Sequence, residues 1–526
     1  AGSGSNPSLI VGYYTRADYR RRLSSVFRSR GMKKIYAIGI GGSGAKCVES
    51  LLFLHSLGLL GETRLGTLLV DADASNGNGQ RTGIALKTVA QCQSAFQRGK
   101  TAFMRYPLQD YETWNPLGDA THASNLGRIF NKQALGAQAP ALAKVMDVLY
   151  APAEQSADLG VGFRGRPPIG AAVMSRLDWE GLNRAQGGQW QKLLDNLLLE
   201  TSSPGAVAVH LFGSVFGGTG AAGTPTLASL IDRKLREEDC RAQVRLNASL
   251  LLPYFGFERP DDGDQTVFAE TRFFALNTQA ALQYFAEQAE GVLDNVYLLG
   301  HQDKENYPSR TGGAEQKNGA HFAELYSALA VNHGAEQKAP ETQVFYISRG
   351  RFDRLTWSDL PQGDTVKTAL AKGVRFAYAW RYNFSLELAE ARRLGGKRFF
   401  KGAPWFRHFF AIGAGSSGLP AVEGETQVQQ AQLLDQWCGA FLNWCRQIAK
   451  ANTQSEQFFH LQDLADSGSE YREELAELAP LVLDLEQSED RRRGDHLDNL
   501  KFQLDNQGRR YDPGVSGLAH ALFDLL

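Results

Sequence analysis

Thr219 is the one hydroxyl in a run of small residues, Gly217-Gly-Thr-Gly-Ala-Ala-Gly223. The run follows the apolar stretch Ala206–Phe212. It precedes Thr224-Pro225-Thr226, where apolar residues begin to recur at helical spacing (Leu227, Leu230, Ile231, Leu235). Glycines let bare backbone N–H groups approach phosphate oxygens, and a helix start adds unpaired donors and partial positive charge. The chemistry on offer is anion binding, with Gly217, Gly218, Thr219, Gly220 and Ala221 as contacts. A turn that only packs a strand against a helix is the plainer alternative. A second run of this kind, Gly39-Ile-Gly-Gly-Ser-Gly-Ala-Lys46, places Gly41, Gly42, Ser43 and Lys46 in line for the same task. Its GxGxxG spacing belongs to many nucleotide-binding βαβ units. Asp71 and Asp73 close the apolar stretch Gly66–Val70 and could meet a ribose or a hydrated magnesium, or simply cap the next turn. Arg164, Gly165 and Arg166 lie in a glycine- and proline-rich loop, Gly162–Gly170. Guanidinium forks there match phosphate oxygens, although a solvated turn would read the same way.

Such loops act only if strands and helices hold them. Apolar runs at 34–40, 66–70, 206–212, 244–251, 294–300 and 343–348 alternate with helical patterns at 189–200, 271–289 and 318–331. That alternation over 34–360 predicts an α/β fold, a doubly wound, mostly parallel sheet carrying the nucleotide loops. Residues 78–160 have weak periodicity and read as a helical insertion, and an acidic loop follows at 261–264. Beyond about residue 361 the periodicity is helical and rich in charge (365–394, 425–450, 471–505), which predicts a mainly helical C-terminal domain over 361–526.

Composition excludes more than it assigns. The chain has 526 residues, 43% of them apolar, enough for two or more domains with a sizeable core. Its 56 basic and 57 acidic residues leave a net charge of −1, so no nucleic-acid partner is expected. No apolar run approaches ~18 residues and no secretory signal is visible, which predicts a cytoplasmic protein. The five cysteines (47, 92, 240, 438, 445) lack CxxC spacing and read as reduced thiols. The exception to this neutrality is the N-terminal extension, residues 1–33. Between residues 13 and 34 stand eight basic residues and one acid, Asp18, while Tyr19, Leu23, Val26 and Phe27 fall on one helical face. This is a helix docked on the body with its arginines solvated, or a basic amphipathic contact for an anionic membrane surface or an acidic protein partner.

The loop Gly217–Gly223 resembles the GGGTGTG-type signature of the tubulin and FtsZ family of filament-forming GTPases, and four other stretches follow in the family's order. Gly39–Lys46 resembles the first phosphate loop, with Lys46 where FtsZ has an asparagine. Asp71-Ala-Asp73 is similar to Asn-Thr-Asp, and Gly162–Gly170 to GAGGNPEVG. Pro253-Tyr-Phe-Gly-Phe-Glu258 is similar to PFxFE. The resemblance covers roughly the first two thirds of the chain and is nearest to a divergent bacterial tubulin-like group. It implies GTP or GDP with Mg²⁺ as ligands, Glu258 at the ribose and Arg272 at the ribose or base. His301 stands where FtsZ reads the base with asparagine. The segment Asn318–Val331 would be the family's central helix, with Phe322 stacking on the purine. The partner implied is a second copy of the chain, whose Leu355–Leu360 loop would bring Asp359 to orient the attacking water. Thr356 replaces the companion acid of that loop, and no C-terminal mixed sheet is legible.

Three other functions compete. GxGGxG, Asp71-x-Asp73, Asn76 and Gln80-Arg81 echo adenylating enzymes of the ThiF or ubiquitin-activating type, without their paired CxxC ligands. A Rossmann dehydrogenase explains the first glycine loop and leaves the second idle. A non-hydrolysing nucleotide-binding scaffold fits the weakened Thr356/Asp359 loop.

Overall fold

Short apolar runs closed by glycine or an acid become, in the computed structural model of the protein, one parallel sheet. The structure describes residues 31–526 apart from 119–124, 185–187, 259–268, 289–290, 302–304, 309–311, 338–340, 348–353, 414–417, 452–456, 461–477 and 485–495. The basic extension up to residue 30, the acidic loop 261–264 and most of 471–495 therefore lie outside the described residues.

The strands are β1 (Lys33–Ile40), β2 (Thr63–Val70), β3 (Leu108–Trp114), β4 (Val207–Ser214), β5 (Val244–Leu251), β6 (Phe255–Phe257), β7 (Asn295–Leu299), β8 (Glu305–Tyr307) and β9 (Gln343–Ile347). Seven of them form a sheet in the order β3-β2-β1-β4-β5-β7-β9, and every neighbouring pair is parallel. β6 and β8 make a separate parallel pair. All eight residues of β4 are buried, as a central parallel strand covered on both faces requires.

The helices that matter for the site are α1 (Gly41–Ser56), α2 (Gly77–Phe96), α3 (Pro167–Met174), α4 (Gln189–Thr201), α5 (Gly218–Glu237), α6 (Phe274–Gln288), α7 (Phe322–Glu336), α8 (Gly363–Ala379), α9 (Glu425–Ala449) and α10 (Gly514–Leu525). α1, α2 and α7 cover one face of the sheet. α4, α5 and α6 cover the other. α8, α9 and α10 then pack over the first face. Phe53 of α1 lies 5.5 Å from Phe441 and 5.3 Å from Trp444, ring centre to ring centre. Phe103 sits between Phe376, Trp437 and Phe523 at 4.9, 5.2 and 5.0 Å. The helical C-terminal region thus shares one core with the sheet. α1, apolar around most of its circumference, is sandwiched between them, as expected of a helix with no solvated face.

The reading of 78–160 as a helical insertion holds for a helix at its start but is corrected in that the first part belongs to the main sheet. Residues 77–96 are the crossover helix α2, and Leu108–Trp114 is the edge strand β3. Short helices occupy only the later part, between Leu126 and Ser156. A bulge hid β3: the pairing with β2 shifts between Thr67 and Leu69, and Glu112 takes a φ of +66°. Tyr111 and Trp114, both buried, are then three residues apart instead of two, so strand alternation vanishes from the sequence. Lys33 and Lys34, counted with the basic segment, belong to β1. Lys33 reaches Asn332 and Glu336, and Lys34 the carbonyl of Pro204. Among the described residues no helix is long and apolar enough to cross a membrane. All five cysteines are buried free thiols.

Candidate functional site

Register brings the loops together. Ile40, the last residue of β1, pairs with Val70 at the end of β2 and with Gly213 near the end of β4. The segments that follow, from Gly41, Asp71 and Val215, therefore leave the sheet at one level. Strand order also reverses here: the chain builds outward from β1 through β2 and β3, then returns to lay β4 on the other side. Crevices at such a reversal, outside the carboxyl ends of the strands, are where open α/β sheets bind ligands.

α1 and α5 both begin at this crevice. Neither N-terminus is closed by a side chain, the preceding residues being Ile40 and Gly217, and neither first turn carries an acid. By contrast, Asn76 caps α2 by accepting from the N–H groups of Asn78 and Gly79. Two long helices thus leave unpaired N–H groups and their positive ends at one place. They are held very close. A β-carbon on Gly41, whose φ is +71°, would lie 3.2 Å from Cβ of Thr219.

One expectation changes at this point. The helix starts at Gly218, not near Thr224, so the glycines of the second loop are themselves helical. Their smallness serves close packing: a β-carbon on Gly218 would lie 2.7 Å from Cβ of Phe163, and one on Gly220 2.6 Å from the Ser214 nitrogen. Pro225 is consequently inside the helix, and Thr224 Oγ1 donates to the Gly220 carbonyl beside it.

The acids lie on the neighbouring loop. Asp71 is buried and accepts from the Asp73 N–H at 3.1 Å, and the nearby Thr219 hydroxyl favours its ionised form. Burial, reinforced by the nearby Asp73 charge, pushes its carboxyl up to about 7. Asp73 is committed to the protein: Oδ1 accepts from the Ser75 N–H and hydroxyl, and Oδ2 from the Gly313 N–H at 2.6 Å. Arg164 reaches the crevice with a φ of +53°, and burial lowers its guanidinium from the usual value.

Gly41, Gly42, Ser43, Lys46, Asp71, Asp73, Arg164, Gly165, Gly217, Gly218, Thr219 and Gly220 all line a single cleft. Other expected residues do not. Arg166 turns away toward Glu270 (3.2 Å) and lies over the ring of Phe273. Ala221 is buried behind the helix start. Arg272 is mostly exposed and pairs with Glu270 at 2.6 Å. Glu258 is exposed at the end of β6. Phe322 is 8% exposed, its ring 4.5 Å from His301 and 4.2 Å from His321, so the purine platform expected there is covered. The aromatic wall of the cleft is instead Phe216, Phe255, Phe257 and Phe274. Neither Gln80 nor Arg81 lines the cleft, and Arg81 is locked onto Glu49 and the Asn318 carbonyl.

Asp359 is placed as a turn cap. Its Oδ2 accepts from the Thr356 N–H at 2.8 Å and the Thr356 hydroxyl at 3.0 Å, closing the turn Trp357–Asp359. Asp359→Ala is therefore expected to cost about 1 kcal/mol, the usual worth of a cap, whereas Asp359→Asn keeps an acceptor and most of that stability. Thermal melts separate the two. A water-orienting role would instead appear as lost turnover in Asp359→Asn with no change in melting.

Asn76, named above only for the adenylating pattern, lines the cleft. Asn78, Gln316 and Asn318 line it too and were not expected, and Asn78 accepts from the Asn318 N–H at 2.9 Å. Glu324 pairs with Lys46 at the cleft floor. A capping pattern, His321-x-x-Glu324, was its one local signal. Among the described residues no group of three His, Cys, Asp or Glu side chains could hold a metal ion.

No family model and no curated protein matches the chain. Among solved structures it is similar to the Clostridium botulinum phage c-st TubZ, truncated at its C-terminal tail, at 10% identity and a TM-score of 0.20. The likeness covers 56% of this chain and 58% of that one, and is too slight to carry an argument.

Proposed function

We propose that the chain binds a guanine nucleotide with Mg²⁺ in the β1/β4 crevice, and that assembly with further copies of itself completes GTP hydrolysis. The observation that carries the phosphate half is the pair of side-chain-free helix starts at Gly41 and Gly218, brought together with Thr219 between them. Such an arrangement suits an extended polyphosphate better than a single anion, because donors come from two directions. Asp71 and Asp73 fit the magnesium part: Mg²⁺ is commonly held by one or two carboxylates together with phosphates and water. Of the two, Asp71 has the more capacity to spare, and a cation would favour its ionised form. Bound magnesium would neutralise phosphate charge. The chain's own part is to orient the phosphates through its helix starts, and to hold Asp71 in place through the Asp73 N–H. Guanine specificity and self-assembly rest on the order of the sequence motifs.

The test begins with nucleotide extracted from protein purified without any addition. Guanine nucleotide is the expected result. An adenylate or a dinucleotide would overturn the reading in favour of an adenylating enzyme or a dehydrogenase. Specific GTPase activity should then rise with protein concentration, and activity per molecule that stays constant would sink the assembly half.

A further inference from the structure

Lys46 lines the cleft, yet its side chain is 2% exposed and its ammonium lies 2.5 Å from Oε1 of Glu324. Glu324, 0% exposed, lies in the first turn of α7, which packs against α1. The same Oε1 accepts from the Tyr254 hydroxyl at 2.5 Å, and Oε2 accepts from the His321 N–H at 2.9 Å. Cys47 and Arg81 also feel the carboxylate's field from α1 and α2. A buried ammonium and carboxylate this close largely cancel, so the floor of an anion-binding cleft gains little positive potential from its lysine. A packing role alone would not call for a charged pair facing a ligand cleft, since a buried ion pair is often no more stabilising than an apolar one.

We propose that Glu324 is a positioning residue for the anion site, acting through Lys46. It holds the ammonium at the cleft floor in the empty protein and competes with an entering phosphate chain for that charge. The proposal rests on the phosphate-binding reading above. It predicts a sign that ordinary structural damage would not give. Removing the carboxylate charge leaves Lys46 buried without its counter-ion, which destabilises the empty protein, while an anion then meets an uncompensated cation.

The experiment is calorimetry and thermal melting of the full chain with Mg·GTP and, as a base-free probe, inorganic triphosphate with Mg²⁺. Glu324→Gln is expected to melt lower than wild type when empty. It should bind both ligands roughly ten- to hundredfold more tightly, given the Coulomb energy of one charge at this range. Lys46→Met should weaken both, and in its background Glu324→Gln should lose most of its effect. Should Glu324→Gln not fold alone, triphosphate is expected to restore it, and failure to do so counts against the proposal. Glu324→Gln that folds and binds no more tightly than wild type overturns this inference and leaves the function standing. Wild-type protein that binds neither ligand overturns both.

Discussion

Replacing Thr219 with leucine should abolish nucleotide binding while leaving the fold in place. Thr219 sits where α1 and α5 approach most closely, its Cβ 3.2 Å from the β-carbon position of Gly41. A larger side chain there occupies the space between the two helix starts and removes a hydroxyl from the cleft lining. Losing a hydroxyl donor to a charged phosphate oxygen costs roughly 1.5–3 kcal/mol, and blocking the phosphate path adds to it. Affinity should therefore fall more than about a hundredfold, at 1.4 kcal/mol per decade. Thr219 is only 9% exposed and tightly flanked, so the empty variant should melt somewhat lower, by the roughly 1–3 kcal/mol that overpacking costs, and binding is read on protein that the melt shows to be folded. Thr219→Ser keeps the hydroxyl and should bind within a fewfold of wild type. GTP affinity unchanged in the leucine variant would mean that this crevice is not where the nucleotide goes.

Asp71→Asn should separate stability from function. Burial raises the Asp71 carboxyl from 3.8 to about 7, which corresponds to roughly 4 kcal/mol at most. Below about pH 4 the group is neutral in the folded and unfolded chains alike. Between about pH 4 and 7 the unfolded chain ionises it and the folded protein does not, so stability falls as the pH rises through that window. Asparagine removes the ionisation. The empty variant should therefore be more stable than wild type at pH 8, with a flatter dependence on pH, as denaturant titrations at pH 5 and 8 would show. Mg²⁺ should no longer strengthen nucleotide binding in it. A variant less stable than wild type at pH 8 would show that the carboxylate is stabilising as it stands. Undiminished Mg²⁺ dependence would remove Asp71 from the metal's surroundings.

Much of the fold was legible because it is local. Seven strands make the parallel sheet, and six of them could be read directly as apolar runs, the way strands covered by helices are written. β3 could not, because its bulge breaks the alternation that marks an edge strand. The small-residue runs at 39–46 and 217–223 marked the crevice for a similar reason. Only glycine and alanine permit the approach of α1 and α5 to the sheet ends.

Six strands of the sheet, the glycine loops and the acids at the end of β2 are therefore written locally in the chain. Tertiary structure decided which side chains face the ligand space. It turned Arg166 outward to Glu270, buried Phe322 against two histidines and set Phe257 in the cleft wall instead. It also put Glu324 on Lys46, a residue 278 positions away in the chain. Periodicity reports which face of an element is buried, and glycine reports where backbones must touch. Neither carries information on the partner of a charge. That choice is made by distances between elements far apart in sequence, and for Lys46 and Glu324 it is fixed only when α7 packs against α1.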